Sequence, residues 1–201
     1  MTIIDTKQIT KAKYSLQEST FHLDPEEAEL ISASLKGDQR AAHRLYGRYV
    51  NAMYHTVIRM VPQRAEAEDV LQDAFVQVFQ KLHTFKGDST LGAWIKKICV
   101  NMSLNHLRKA GRVSFMALET ANLEAKPADQ GEDANEFPMD IKLIHQRIKA
   151  LPEGCRVVFS LHLLEGYQHR EIAEILNISE STSKTQYRRA RQLLREKLKA
   201  K

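Results

Sequence analysis

Between Glu66 and His83 the apolar side chains fall at Val70, Leu71, Ala74, Phe75, Val78, Phe79 and Leu82. Steps of this size follow the helical turn and place the whole set on one face. Nowhere does the chain alternate apolar and polar residues for long enough to build a strand. A face of this kind must be buried against another element, and the available elements are helices. The pattern therefore predicts an all-α protein.

Local chemistry marks where the helices begin and end. Asp24-Pro25-Glu26-Glu27 places a capping carboxylate, a proline at the first helical position and acids in the first turn. That helix is expected to end near Gly37. Asp38 opens another, with Ala42, Leu45, Tyr46, Tyr49, Met53 and Val57 as its apolar stripe, and Pro62 interrupts it. Residues 84–89 break the 66–83 helix. A further helix is predicted over Thr90–Lys109, with Leu91, Ile95, Ile98 and Met102 facing the core and Gly111 as its stop. Residues 1–24 are polar and weakly patterned, and read as a loosely ordered extension.

Charge divides the chain further. Residues 1–111 hold 15 basic and 12 acidic residues, residues 112–140 hold 2 and 7, and residues 141–201 hold 13 and 6. The acidic middle also collects Pro127, Gly131 and Pro138 without any sustained apolar period. It reads as a flexible acidic linker over 112–139, between small helical domains at 25–111 and 140–201. Hydrophobic content of 43% excludes wholesale disorder, and an aromatic content of 7% argues against a large β-sandwich core.

The two cysteines, Cys99 and Cys155, have no neighbouring Cys or His at zinc spacing. A disulfide scaffold and a zinc finger are both disfavoured, and reduced, buried thiols are expected. No metal or other cofactor is expected. No apolar run approaches membrane-spanning length, and residues 1–10 lack the pattern of a signal peptide. The chain reads as cytoplasmic, without membrane insertion.

In the C-terminal part, a short helix over 141–150 should end at Leu151-Pro152. Cys155–Leu164 is the next, closed by Gly166. Residues 168–176, the turn Asn177-Ile178-Ser179 and a long helix from Glu180 to Lys199 then form a helix-turn-helix layout. Ile172, Leu176 and Ile178 supply the wedge between its helices, and Ser179 is placed to cap the last one. Asn177 stands where such turns usually carry Gly, and Asn tolerates the left-handed conformation. Ser183 stands where an apolar residue usually packs. From Glu180 onward Lys184, Arg188, Arg189, Arg191, Arg195, Lys197, Lys199 and Lys201 are opposed only by Glu180 and Glu196. A basic helix after a tight turn suits the major groove of DNA.

The first module makes that reading specific. Ala67-Glu68-Asp69-Val70-Leu71-Gln72-Asp73-Ala74-Phe75 resembles the region-two helix of the bacterial extracytoplasmic-function (ECF) sigma factors. Phe85-Lys86-Gly87-Asp88-Ser89, Trp94-Ile95 and Val100-Asn101 continue the likeness in order. Leu151-Pro152, Glu165-Gly166-Tyr167, Glu171-Ile172-Ala173 and residues 181–185 resemble region four of the same family. The likeness covers roughly residues 25–111 and 140–199. It implies a four-helix region-two-like bundle and a region-four-like helix-turn-helix domain.

Residue chemistry fits that resemblance. Glu68, Asp69, Gln72, Asp73 and Val76 lie off the apolar stripe, and the resemblance implies that they dock on the clamp of core RNA polymerase. Trp94, Lys97, Asn101, Asn105 and Arg108 share a helix face. An indole, amides and cations together suit single-stranded DNA, through stacking, base-edge hydrogen bonds and phosphate contacts. The resemblance adds Phe85 and Lys86, in a loop placed to enclose an unstacked base of the promoter's minus-ten element, and Lys96 offers a phosphate contact. For the minus-thirty-five element it implies base contacts by Lys184, Thr185 and Arg189, with Arg188 and Arg191 on phosphates.

The expected function is that of a dissociable, non-enzymatic specificity subunit. Its partners would be core RNA polymerase, through clamp and flap elements, and promoter DNA, double-stranded and melted. Anti-sigma factors are common partners in the family, and no residue here proves one. The alternative is a helix-turn-helix regulator whose first module senses a signal or dimerises. A DNA-processing enzyme finds no support, because the histidines are scattered along the chain and no nucleophile–base pair, phosphate-binding glycine loop or acidic metal cluster is visible.

Overall fold

The computed structural model describes residues 24–111 and 146–199, and every regular element among them is helical. The expectations for residues 1–23, for the acidic linker and for the start of the 141–150 helix lie outside the described residues. The chain divides into two compact units after His106.

The first unit is built from α1 (Pro25–Leu35), α2 (Gln39–Met60), α3 (Arg64–Lys81) and all but the last three residues of α4 (Leu91–Lys109). The caps are those the sequence announces. The Asp24 carboxylate accepts from the Glu26 N–H, and the Asp38 carboxylate from the N–H groups of Arg40 and Ala41. Between α1 and α2 the chain turns through Gly37 at φ +91°, a conformation that glycine adopts without steric cost. Thr90, not singled out from sequence, caps α4 by accepting from the Ala93 N–H at 3.2 Å.

The core of this unit gathers Ile31, Leu45, Val57, Met60, Ala67, Val70, Ala74, Val78, Leu82, Leu91, Ile95 and Leu104, all buried. On α3 the predicted stripe is the buried one, except that Phe79 is only half-buried. Two stripes are rotated from expectation. On α2 it is Ala41 that is buried, while Ala42 is half-buried. On α4 the buried line runs through Leu91, Ile95, Cys99, Leu104 and Leu107, and Ile98 and Met102 are half-buried. Both helices pack on more than one neighbour, so their covered arc is wider than a single heptad stripe suggests.

Polar contacts tie the helices together. Tyr49 donates its hydroxyl to the carboxylate of Glu27, which is buried in α1. Burial of the phenol and the adjacent carboxylate push the Tyr49 pKa well above its ordinary range. Arg48 bonds Asp24 at 2.9 Å and holds that carboxyl below the usual carboxylate range. His106 meets Glu66 at 2.9 Å, joining α4 to α3.

The second unit holds a helical turn over 146–149, α5 (Glu153–Phe159) running into a π-helical turn at Ser160–Leu164, α6 (His169–Leu176) and α7 (Glu180–Lys199). Its core packs Ile148, Leu151, Cys155 and Phe159 against Ala190 and Leu194 of α7. Ile172, Leu176 and Ile178 are buried as the wedge between α6 and α7. Asn177 takes the left-handed conformation at φ 54°, ψ 52°. Ser179 caps α7 by accepting from the Thr182 N–H at 3.1 Å.

Both cysteines are free and buried. Burial pushes the Cys99 thiol up to about 12 and raises that of Cys155. Among the described residues no helix is long and apolar enough to cross a membrane, and no cluster of three metal-ligating side chains occurs.

Candidate nucleic-acid interface

Three surfaces carry the residues singled out from sequence. The first is the outward face of α3. Asp69, Gln72, Asp73 and Val76 are exposed there at steps of three or four residues, on the side opposite the buried Ala67, Val70, Ala74 and Val78. Val76 is 56% exposed, an apolar side chain set among carboxylates. Gln80 extends this line and went unnoticed in the sequence. Glu68 does not belong to its centre. It sits at the edge, half-buried, and accepts from Arg64 at 2.7 Å within the same helix.

The second surface is one face of α4. Lys97, Asn101 and Asn105 are exposed at four-residue steps, with the half-buried Trp94 at the N-terminal end of the line and the exposed Arg108 at the other. Lys96 is half-buried. Phe85 corrects an expectation: it is 2% exposed, and its ring lies 5.6 Å from that of Trp94. An apolar side chain at a helix exit gains more from burial than from solvent. Phe85 therefore anchors the 84–89 loop and backs the indole rather than standing at the surface. Lys86, next to it, is exposed. Gly87 turns the loop at φ +77°.

The third surface is the outward side of α7. Thr182, Ser183, Gln186 and Ala190 face inward and are buried. Lys184 and Arg188, four residues apart, lie in line on the outer side, with Thr185 half-buried beside them. Lys184 is paired with Glu180 at 2.6 Å, and the Thr185 hydroxyl donates to the Ser181 carbonyl at 2.9 Å. The helical period sets Arg189 and Arg191 on opposite flanks of this line. Arg191 packs its guanidinium over the Tyr187 ring at 5.9 Å, while Arg189 lies on the flank toward Cys155, whose thiol feels its charge. Arg188 follows Lys184 at a four-residue step and Arg189 follows Thr185 at the same step, and both arginines are exposed.

One cluster was not legible as such. His162 and His169 stack with ring centroids 4.0 Å apart, and His169 Nδ1 lies 2.9 Å from the Ser183 hydroxyl. A serine beside an imidazole resembles an activated nucleophile. Here the serine is fully buried in the helix packing, where no substrate reaches it.

Comparison with known proteins settles the class. Residues 45–113 match the family model of Sigma-70 region 2, and residues 141–194 match that of Sigma-70, region 4. The ECF RNA polymerase sigma-E factor of Escherichia coli K12 is 30% identical over 177 residues, spanning 84% of this chain and 92% of its own. The chain belongs to the ECF sigma factors. The RNA polymerase sigma-H factor of Pseudomonas aeruginosa is 29% identical over the same shares of the two chains. In fold, the chain is similar to the sigma factor RpoE of Bartonella quintana, solved with the anti-sigma factor NepR. The TM-score is 0.52 at 23% identity, covering 79% of this chain and 96% of that one. It is also similar to CnrH, solved with the cytosolic domain of CnrY, with a TM-score of 0.50 at 24% identity, covering 88% and 99%.

As an ECF sigma factor, the protein directs RNA polymerase in transcription initiation, and its partners are the polymerase and promoter DNA. The region 2 match accounts for the first unit, which a sensing or dimerising module of a regulator would not.

Proposed function

We propose that this sigma factor divides its work among the three surfaces. The α3 face, Asp69, Gln72, Asp73 and Val76 with Glu68 and Gln80 at its margin, docks on the polymerase clamp. Exposed carboxylates give such a surface its orientation and association rate more than its affinity. Val76, the exposed apolar side chain at its centre, supplies area to bury. The α4 face holds the melted minus-ten strand. The single observation that carries this reading is the line Trp94, Lys97, Asn101 and Asn105, which combines a stacking ring, a cation and two exposed amides on one helix. Asparagine is a poor interior helix former, so an exposed pair at four-residue spacing supports a ligand-facing role for this line.

On α7 we assign Lys184, Thr185 and Arg188 to base edges of the minus-thirty-five duplex and Arg189, Arg191 and Arg195 to phosphates. The Thr185 hydroxyl is occupied by the Ser181 carbonyl, which leaves its methyl for a thymine methyl. Lys184 must leave Glu180 to reach a base, and an exposed, solvent-screened pair of this kind yields easily. The protein acts as a dissociable, non-enzymatic subunit in the cytoplasm, with the polymerase flap as a further contact. An anti-sigma factor is a fitting partner, since both structural relatives were solved with one or with a second protein's cytosolic domain.

Permanganate footprinting of unpaired thymines tests the melting assignment. The Asn101→Ala, Asn105→Ala variant should bind promoter as closed complex much as wild type does, yet open it less. Normal opening of a duplex promoter by this variant contradicts the assignment.

A further inference from the structure

The second unit contains a ring cluster that no duplex contact explains. The π-helical turn Ser160–Leu164 closes with the Glu165 N–H donating to the Ser160 carbonyl at 3.0 Å. Such a widened turn re-aims its side chains, and here His162 meets three groups. Its Nδ1–H donates to the Tyr167 carbonyl at 2.8 Å. Its ring stacks on His169 at 4.0 Å and 22°, and meets Tyr187 edge-on at 4.6 Å. Tyr187 in turn stacks on Phe159 at 5.9 Å. His169 opens α6, and its Nδ1 reaches Ser183 in the first turns of α7. One contiguous set thus spans α5, α6 and α7, and it touches α7 on the inner side of the turn that carries Lys184 and Thr185 outward.

We propose that His162 and His169 are positioning residues for the recognition helix, seating the first turns of α7 on α6 while His169 is uncharged and releasing them when His169 takes up a proton. This rests on the reading of α7 as the helix that enters the duplex.

The electrostatic surroundings run against a proton on His169. His162 lies across the stack, Lys184 and Arg188 face it from α7, and only Glu180 on that helix opposes them. Glu180 is itself engaged by Lys184 and lies in the field of Arg170 on α6. Glu165 and Glu171 act on Tyr167 at the rim of the cluster. Burial first, then these cations, lower the His169 pKa below its ordinary value. The sign follows: a lowered imidazole contributes stability that is present above the ordinary histidine range and lost as pH falls. An imidazole with an ordinary value near 6.5 once released shifts the balance toward opening by up to about tenfold between about pH 7.5 and about pH 5.5.

Hydrogen exchange of the full chain, resolved by segment and corrected for the intrinsic pH dependence of amides, reads this directly without DNA. The amides of 180–191 should lose protection by up to about tenfold over that interval. His169→Asn keeps a polar partner for Ser183 and cannot charge, so its protection should stay level with pH. Equal pH dependence in the two proteins, or a wild type that keeps its full protection at the acid end, overturns the proposal. Should the variant fail to fold, NMR titration of the wild-type rings decides. A His169 midpoint below the ordinary value, with Tyr187 ring signals moving at the same midpoint, supports it. A midpoint at or above that value overturns it. In the holoenzyme, preference for an intact over a scrambled upstream element should fall across the same interval in wild type only. Protection that falls while this preference stays flat overturns the positioning role and leaves the duplex-reading role of α7 standing.

Discussion

Asn177 is the residue on which the angle between α6 and α7 turns. It is the non-glycine residue with positive φ among the described residues, at φ 54° and ψ 52°. The left-handed region costs an L-residue about 1–2 kcal/mol, because Cβ crowds the following carbonyl. Asn escapes part of that cost through its short polar side chain. Asn177→Ala should therefore destabilise the turn by about 1 kcal/mol, and Asn177→Val, branched at Cβ, by about 2 kcal/mol. Asn177→Gly should stay within about 0.5 kcal/mol of wild type, since relief of strain offsets the added freedom of the unfolded chain.

The assay for this series must report on the second unit. The one tryptophan, Trp94, lies in the first unit, so its fluorescence follows the other half of the molecule. Segment-resolved hydrogen exchange over α6 and α7 is the appropriate measurement. A loss of 1 kcal/mol appears there as roughly a fivefold rise in opening. An Asn177→Val chain with wild-type protection in α6 and α7 would refute the reasoning, because it would mean the turn bears no left-handed strain.

Two further perturbations address the surfaces. Reversing charge at Asp69 and Asp73 should abolish association with core polymerase while leaving helical content by circular dichroism unchanged. Co-purification at wild-type affinity would mean that the docking face lies elsewhere. On α7, Arg188→Ala should cost roughly 1–3 kcal/mol and flatten preference at one or two upstream positions, whereas Arg195→Ala should weaken all sequences alike and lower the salt slope by about one. Competition over a library randomised in the upstream element, at two salt concentrations, separates these effects. If Arg189→Ala is selective and Arg188→Ala is not, the helix enters the groove rotated from the orientation assigned here.

What the sequence made legible follows from what each residue needs locally. Asp24, Asp38, Ser179 and Asn177 act within a few residues of themselves, and all four take the roles their spacing implies. The apolar stripe of α3 was equally plain, because that helix buries a single face. Phe85 was read as a surface residue because a loop aromatic reads alike whether it meets a ligand or the core, and its burial against Trp94 had no local signal. Which of Arg188 and Arg189 faces furthest outward is a matter of rotation about the helix axis, set by Thr182, Ser183, Gln186 and Ala190 burying the opposite side. The His162–His169 stack was invisible for a different reason. Seven positions separate the rings, and a π-helical turn and a glycine at φ +81° fold them together. No local period records such a path. Ser183 shows the same limit: in sequence it looked like a defect in an apolar position, and in the structure it is the buried partner of His169.

The central claim is that this chain confers promoter choice on a polymerase rather than binding promoters alone. Run-off transcription with purified core RNA polymerase and genomic promoter fragments tests it most directly. Core with the protein should yield discrete transcripts from a subset of fragments. Core alone should yield none of these, and the protein without core should not retain the same duplexes selectively. Tight, selective duplex binding by the free protein, together with no transcript when core is supplied, would contradict the account.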